Sequence, residues 1–247
     1  MNIAIYEKIE QKVSLEGSLL QIYLVSRFAN YNLDNYLTHK EPNGVSEECA
    51  RYWFRQLSTA VHYLHHVFNN DKPLPHSNIK PENILLFKRD DRRGNGFDVK
   101  LSDCGLNVFL PSIGRVTTKT NPIYYISPPN QVIGKKQTRF VKNCFAQSLL
   151  QQMSGDVYNL GIIVVFMIKG NIERIVRKPP NSTKTMNFKG ADGIFVEFNV
   201  EHVRELSNGL SPKLYDLLKK MLHRVSVMRI DIMGVKEHDW LKSFLQN

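Results

Sequence analysis

The segment that most constrains the fold is Val157–Gly170, which reads VYNLGIIVVFMIKG. Its apolar residues surround the whole circumference of a helix, so the segment predicts a helix that is buried on all sides. Such a helix needs neighbours on every side, and 247 residues are enough for one large domain with a substantial core. The longest apolar stretch, Leu160–Ile168, is well short of the roughly 20 residues that cross a bilayer, so we expect no membrane span.

The composition is typical of a folded protein, with 42% hydrophobic and 23% charged residues. The three cysteines, Cys49, Cys104 and Cys144, lie far apart with no CxxC spacing, which predicts neither a disulfide framework nor a zinc site. Met1–Glu10 lacks the apolar block of a secretory signal. We therefore expect an intracellular protein, cytoplasmic or nuclear, in a reducing compartment.

Periodicity and capping residues predict the elements around the buried helix. Ser46 is a good N-cap, and apolar residues at helical spacing follow it from Ala50 to Leu64, which predicts a long amphipathic helix. The remaining predicted elements are a hairpin strand at Leu20–Phe28, a short helix at Leu33–Leu37, a hairpin of Ile84–Phe87 with Val99–Ser102, a helix from Ser211 to His223, and a last helical segment at Ile230–Phe244.

Five short motifs follow one another in the order found in protein kinases. His76–Leu86, which reads HSNIKPENILL, resembles the catalytic loop H-R-D-L-K-P-x-N, and Ser102–Leu106 resembles the D-F-G segment. Tyr125–Pro129 resembles the end of the activation segment, and Gly155–Gly161 resembles the start of the central helix of that family. Arg229 stands where the family carries an arginine. From about residue 20 to its end, the chain resembles the eukaryotic Ser/Thr protein kinase-like family.

The resemblance implies an α+β, mostly helical protein kinase-like fold. Residues 30–247 would form a largely complete large, C-terminal lobe, and residues 1–29 would be a remnant of the small lobe and hinge, reduced to a hairpin. No Gly-rich loop precedes the hinge at Arg27–Ala29. Lys8 and Lys12 are too close to that hinge to match the lysine that grips the α- and β-phosphates, so we expect the phosphate clamp to be absent.

The resemblance also implies a role for five individual residues. Asn78 replaces the catalytic aspartate, and an amide cannot act as a base; losing a general base costs roughly 10²- to 10⁴-fold in rate. Lys80 matches the lysine near the transferred phosphoryl group. Asn83 and Asp103 match the two Mg²⁺ ligands, or are retained because they hold the loop together by hydrogen bonds. Leu85 matches the floor of the adenine pocket, or is a plain core residue.

Two further departures from the family pattern concern the activation segment. Ser77 replaces the arginine that pairs with a phosphate, so phosphorylation of Thr117, Thr118 or Thr120 would lack that partner. Pro129 replaces the glutamate that usually pairs with the arginine at the position of Arg229.

These departures favour a non-catalytic kinase-like protein, a pseudokinase, that acts as a regulatory or scaffolding module in intracellular signalling. We expect it to require no cofactor, with weak ATP and Mg²⁺ binding left open, and to bind another protein, either an active kinase or a kinase substrate. The alternative is an ATP-dependent protein Ser/Thr kinase that is weakly active or a fragment of a longer kinase.

Three other features have less specific interpretations. The net charge of +10 and the basic residues Lys135, Lys136, Arg139 and Lys142 fit a nucleic acid or an anionic surface, but no nucleic-acid motif accompanies them. His62, His65 and His66 lie at a helix end, where histidines are common, and no acidic or cysteine ligand is spaced nearby for a metal. Gly94-Asn95-Gly96 predicts a turn and not a phosphate-binding loop.

Overall fold

The computed structural model describes residues 2–13, 20–68, 73–104, 149–170, 187–190, 193–196, 209–223 and 225–242. Within these ranges, helices enclose a continuous apolar core that a small antiparallel sheet covers on one side. The prediction of a mostly helical α+β fold is confirmed for this part of the chain.

Helix α1 spans Leu33–His39, and the Asn32 side chain caps it by accepting a hydrogen bond from the Asn35 amide at 2.8 Å. Helix α2 spans Glu47–His66 and starts at the predicted cap, where the Ser46 hydroxyl accepts from the Cys49 amide. The apolar face of α2 is fully buried, which places α2 against the core along its whole length.

Helix α3 spans Leu149–Lys169 and is buried continuously from Gly155 to Met167. This confirms the predicted helix that is buried on all sides. At Gly161 an added Cβ would lie only 2.9 Å from the Leu222 side chain, so glycine is what allows this close approach. The helix begins before Asp156, because the preceding Leu, Gln, Met and Ser residues favour or tolerate helix.

Strands β3 (Tyr31–Asn32), β4 (Ile84–Lys88) and β5 (Phe97–Leu101) form an antiparallel sheet in the order β3-β4-β5. The predicted turn between β4 and β5 is confirmed, since the segment Gly94-Asn95-Gly96 has positive φ at all three residues. The buried Trp53 indole donates to the carbonyls of Gly94 and Phe97, which fixes this turn against α2.

The residues before the first hairpin lie along the free edge of β5. The Ala4 amide donates to the Leu101 carbonyl at 2.8 Å, and the Leu101 amide donates to the Asn2 carbonyl at 2.9 Å, with Ile3 in a parallel bridge to Leu101. The Asn2 side chain also donates to Gln56 of α2 at 3.0 Å. The N-terminal residues are therefore joined to both the sheet and α2.

Strands β1 (Tyr6–Val13) and β2 (Leu20–Ser26) pair antiparallel as a separate two-stranded hairpin, which confirms the predicted hairpin strand, although the strand ends two residues earlier than predicted. Strands β6 (Asn187–Gly190) and β7 (Gly193–Val196) form another pair that was not predicted. Each has only four residues, so a period of two is hard to recognise in the sequence.

Three short helices complete the described fold. Helix α4 spans Pro212–Met221 with the predicted Ser211 cap and Pro212 in its first turn. Instead of one segment over residues 230–244, two helices occur, α5 at Ile232–Glu237 and α6 at Asp239–Lys242. His238 has extended backbone angles and separates them, a break that no proline or glycine signals in the sequence.

Candidate functional site

The loop that resembles the kinase catalytic loop is held by one buried carboxylate. Asp156 on α3 is 1% exposed and accepts from the backbone amides of His76 at 2.7 Å and Ser77 at 2.8 Å. His65 Nε2 lies 2.9 Å from the same carboxylate. Ser77 has a φ of 61°, an uncommon conformation for a residue with a Cβ. The hydrogen bonds from the His76 and Ser77 amides to Asp156 help to hold this conformation. Helix α3 therefore positions this loop directly.

His76 is a neutral structural link between this loop and the end of β5. Its Nε2 lies 2.9 Å from the Ser102 carbonyl, which can only accept, so Nε2 carries the proton. Its Nδ1 accepts from the Asn78 amide at 3.2 Å. Complete burial lowers the pKa of His76, and the nearby Asp156 only partly opposes that effect. The ring thus fixes Asn78 relative to Ser102.

Asn78, which the resemblance places at the position of the catalytic base, has 9% of its surface exposed. Its carbonyl accepts a hydrogen bond from the Asn83 side-chain amide at 2.9 Å. Its side-chain oxygen Oδ1 is buried and has no hydrogen-bond partner in the part of the chain that the structure describes. An amide at this point can donate and accept hydrogen bonds but cannot take up a proton.

Asn83 and Asp103, the two expected cation ligands, are brought together by backbone bonds. The Asn83 carbonyl accepts from the Ser102 amide at 2.9 Å and from the Ser102 hydroxyl at 3.1 Å. The Asn83 Nδ2 group donates to the Asn78 carbonyl, which leaves Oδ1 as the acceptor atom of that side chain. An amide oxygen and a carboxylate are the kinds of oxygen ligand that Mg²⁺ prefers.

These two residues would have to hold a cation with few other protein ligands. In the described ranges no group of three or more His, Cys, Asp or Glu residues is arranged for a metal ion. A cation at Asn83 and Asp103 would therefore keep several waters, as Mg²⁺ does in sites that it shares with substrate phosphates.

Tyr6 also belongs to this site, although the sequence did not indicate it. Its hydroxyl donates to Asp103 Oδ1 at 2.9 Å. Burial raises the pKa of Tyr6 to about 12, and the hydrogen bond to Asp103 adds to the shift. A tyrosine in a strand far from the motif in sequence gives no signal of this contact.

Lys80 and Leu85 lie on either side of the short turn that carries Asn83. Lys80 is half-buried, and its carbonyl accepts from the Asn83 amide at 3.0 Å across the short 3-10 turn Pro81–Asn83. Leu85 is half-buried while its neighbours Ile84 and Leu86 are fully buried, so strand alternation turns Leu85 to the opposite face from the core.

Arg229 is buried, and its partners in the described part of the chain are neutral. Its guanidinium donates to the His223 carbonyl, to the Ser154 carbonyl at 2.7 Å and to the Ser154 hydroxyl at 2.9 Å. It also lies 5.1 Å from the centre of the Tyr158 ring. Burial lowers the pKa of Arg229 to about 10. Arg229 therefore anchors the segment after α4 to the start of α3.

Several predicted residues cannot be placed. The segment that resembles the end of the activation segment, the three threonines and the basic cluster all lie outside the described residues: Thr117, Thr118, Thr120, Tyr125–Pro129, Lys135, Lys136, Arg139 and Lys142. The side chain of Lys12 is also outside the described part.

The histidines at the end of α2 serve different purposes. His65 is bound to Asp156, whereas the rings of His62 and His66 lie 5.2 Å apart. Burial lowers the pKa of His62, and Lys236, His66 and His65 add to that shift.

A family model described as Protein kinase domain matches residues 6–241. This match covers nearly all of the described fold, including the buried helix, the catalytic-loop segment and Asp103. The chain belongs to the protein kinase domain family, whose members use ATP and Mg²⁺.

Relatives with similar sequences are named as kinases. The chain is 30% identical over 230 residues to CBL-interacting protein kinase 1 of Oryza sativa subsp. japonica, covering 92% of this chain and 41% of that protein. It is 27% identical over 224 residues to an Aurora kinase of Schizosaccharomyces pombe, covering 91% of this chain and 52% of that protein. The chain thus spans about half or less of the length of these relatives.

Solved structures show the same fold. A crystal structure of the Rad53 kinase domain and SCD2 matches with a TM-score of 0.61 and 17% identity, over 98% of this chain and 72% of that chain. Rad53 1-466 in complex with AMP-PNP matches with a TM-score of 0.62 and 17% identity, over 97% of this chain and 50% of that chain. No helix among the residues that the structure describes is long and apolar enough to cross a membrane.

Proposed function

We propose that this chain is a catalytically silent protein kinase domain, a pseudokinase, that acts by binding another protein. The observation that carries the proposal is the side chain at position 78. Asn78 is buried at the base's position on a loop that Asp156 and His76 hold in order. Without a carboxylate there, proton transfer from a substrate hydroxyl loses a factor of roughly 10² to 10⁴.

A second part of the proposal concerns residues 1–29, which we assign to a small lobe and hinge reduced to the hairpin β1–β2, with residues 30–247 as the large lobe. Lys8 supports this assignment. It pairs with Glu10 on the same strand at 2.5 Å, and its side chain is 66% exposed. A lysine in that position is solvated and directed to its own strand, so it does not serve as the phosphate clamp.

The same loop and its neighbours contain the residues that we propose for binding Mg²⁺ and ATP. Asn83 and Asp103 would hold the cation, Lys80 would approach the nucleotide phosphates, and Leu85 would lie under the adenine. A bound cation would neutralise charge on the phosphates. With Asn78 and no clamp, we propose that such binding is weak and is not required for the function of the protein.

The alternative is a weakly active Ser/Thr kinase, or a kinase fragment whose remaining part lies outside this chain. The retained Asn83 and Asp103 favour it, because both carry oxygen atoms of the kind that Mg²⁺ prefers as ligands. This alternative requires that orientation and charge alone accelerate transfer without a base.

For the partner, we propose an active kinase or a kinase substrate bound through the helical large lobe. We propose an intracellular location, cytoplasmic or nuclear. Cys49 and Cys104 are both free thiols, as in proteins of reducing compartments. Burial raises the pKa of Cys49 to about 12 and that of Cys104 to about 11, which keeps both protonated.

Transfer of labelled γ-phosphate to generic protein substrates tests this function. We expect no transfer above the protein-free blank for the chain, and none for Asn78→Asp, because restoring the base leaves the clamp absent. An active relative assayed beside them under the same conditions confirms that the assay detects transfer.

Each outcome of this assay has a separate meaning. Transfer by the unmodified chain that Asp103→Ala abolishes would refute the silent kinase. Transfer by Asn78→Asp alone would leave the assignment of Asn78 intact and refute the reduced small lobe as a cause of inactivity.

A further inference from the structure

Tyr6 holds one oxygen of the Asp103 carboxylate within the protein. The Tyr6 hydroxyl donates to Asp103 Oδ1 at 2.9 Å, and both residues are partly buried. A hydrogen bond to a carboxylate is roughly twice as strong as one between neutral groups. A ligand that needs Asp103 therefore meets a carboxylate that is already engaged.

Backbone contacts before Tyr6 and at Tyr6 itself fix its position. Just before it, the Ala4 amide donates to the carbonyl of Leu101, a residue close to Asp103 in the chain. Tyr6 itself pairs with Ser26 at the start of the hairpin β1–β2. The tyrosine cannot leave Asp103 by a backbone shift without disturbing these contacts.

We propose that Tyr6 competes with a divalent cation for Asp103 and so sets the cation affinity of the site. This inference rests on the proposed role of Asn83 and Asp103 as cation ligands. Mg²⁺ requires near-octahedral oxygen coordination and keeps its waters. The hydroxyl at Oδ1 takes one lone-pair direction of the carboxylate that a cation would otherwise use.

A tyrosine could instead assist cation binding by orienting the carboxylate, as residues that hydrogen-bond to metal ligands do at many metal sites. The segment just before Asp103 favours competition, because bonds that do not involve the Tyr6 hydroxyl already hold it. The Ser102 amide and hydroxyl both donate to the Asn83 carbonyl, and Leu101 exchanges backbone hydrogen bonds with Asn2 and Ala4. The two roles predict opposite effects when the hydroxyl is removed.

Mn²⁺ binding to the nucleotide-free 247-residue chain tests the proposal. Binding is measured as the loss of the free Mn²⁺ signal in electron paramagnetic resonance. Tyr6→Phe removes only the hydroxyl, and we expect it to bind Mn²⁺ about tenfold more tightly, a change of about 1.4 kcal/mol. Tyr63→Phe, which removes a hydroxyl on α2, is the matched control and leaves the affinity unchanged. Circular dichroism melting checks that the variants are folded.

The gain must depend on Asp103, so Tyr6→Phe combined with Asp103→Asn is expected to lose it. Weaker, unchanged or undetectable binding by Tyr6→Phe would overturn the proposal, as would a gain that survives Asp103→Asn. These results are independent of phosphoryl transfer. Transfer by the unmodified chain would instead overturn the proposed function and leave the measured effect of Tyr6 standing.

Discussion

At the scale of single residues, Asp156 has the largest structural effect on the candidate site. Its carboxylate is 1% exposed and binds His65, His76 and Ser77 at once. The loop that carries Asn78 has its conformation set from α3 through these bonds. A fixed conformation of this loop is needed whether the loop takes part in catalysis or only in binding.

We expect Asp156→Ala to lower the free energy of unfolding by about 3 kcal/mol, because it leaves buried donors without an acceptor. Urea unfolding followed by circular dichroism measures the change. Asp216→Ala is the control, since the Asp216 side chain is 51% exposed, although one of its two partners, the side chain of His238, is only 9% exposed, and its effect is expected to be clearly smaller. Equal effects of the two substitutions would contradict the role given to Asp156.

The resemblance to kinases named Asn78, Lys80, Asn83, Leu85 and Asp103 from the sequence, because the site is built on a continuous motif and a nearby second one. The contact of Tyr6 with Asp103 could not be predicted from the sequence, for a physical reason. Its partner lies 97 positions away, and the contact depends on how the hairpin β1–β2 sits over the end of β5.

At the scale of elements, Asp98 on β5 joins the hairpin β4–β5 to α2. Its carboxylate accepts from the Tyr52 hydroxyl at 2.8 Å, from Gln56 at 2.8 Å and from Arg89 at 2.6 Å. Burial alone would raise the pKa of Asp98, but these hydrogen bonds outweigh burial and hold it below its usual range.

The depressed pKa of Asp98 predicts a stability that depends on pH. The contribution is complete above the unfolded pKa of about 3.9 and is lost as the pH falls through the lower folded value. At pH 7 we expect Asp98→Asn to cost about 1 kcal/mol, given partial exposure. Unfolding at a series of pH values should show the difference from the unmodified chain shrinking below about pH 4. A difference that grows in acid would contradict the sign.

Elements with strong periodicity were predicted, and so were the short helix α1 and the hairpin β4–β5, whereas the pair β6–β7 and the break in the last helix were not. Helix α2 has a cap and a clear apolar face, and α3 is apolar all round, so both follow from local sequence. The pair β6–β7 and the break at His238 depend on tertiary packing, which four-residue segments do not reveal.

At the scale of the whole molecule, the N-terminal residues are bonded to the end of β5 and to the candidate site. Asn2 and Ala4 bond to Leu101, and Tyr6 bonds to Asp103. A proposed division between residues 29 and 30 is therefore bridged at the candidate site. Tyr6 joins the hairpin β1–β2 to Asp103, so the hairpin is connected to the residue that we propose as a cation ligand.

The intact mass of the chain after prolonged incubation with Mg²⁺ and ATP tests most directly whether this kinase fold is silent. It reports every phosphate that the protein attaches to itself, whatever residue accepts it. We predict a mass identical to that of a sample incubated without ATP, both for the unmodified chain and for Asn78→Asp. A mass increase by phosphate units in the unmodified chain, absent in Asp103→Ala, would contradict the account.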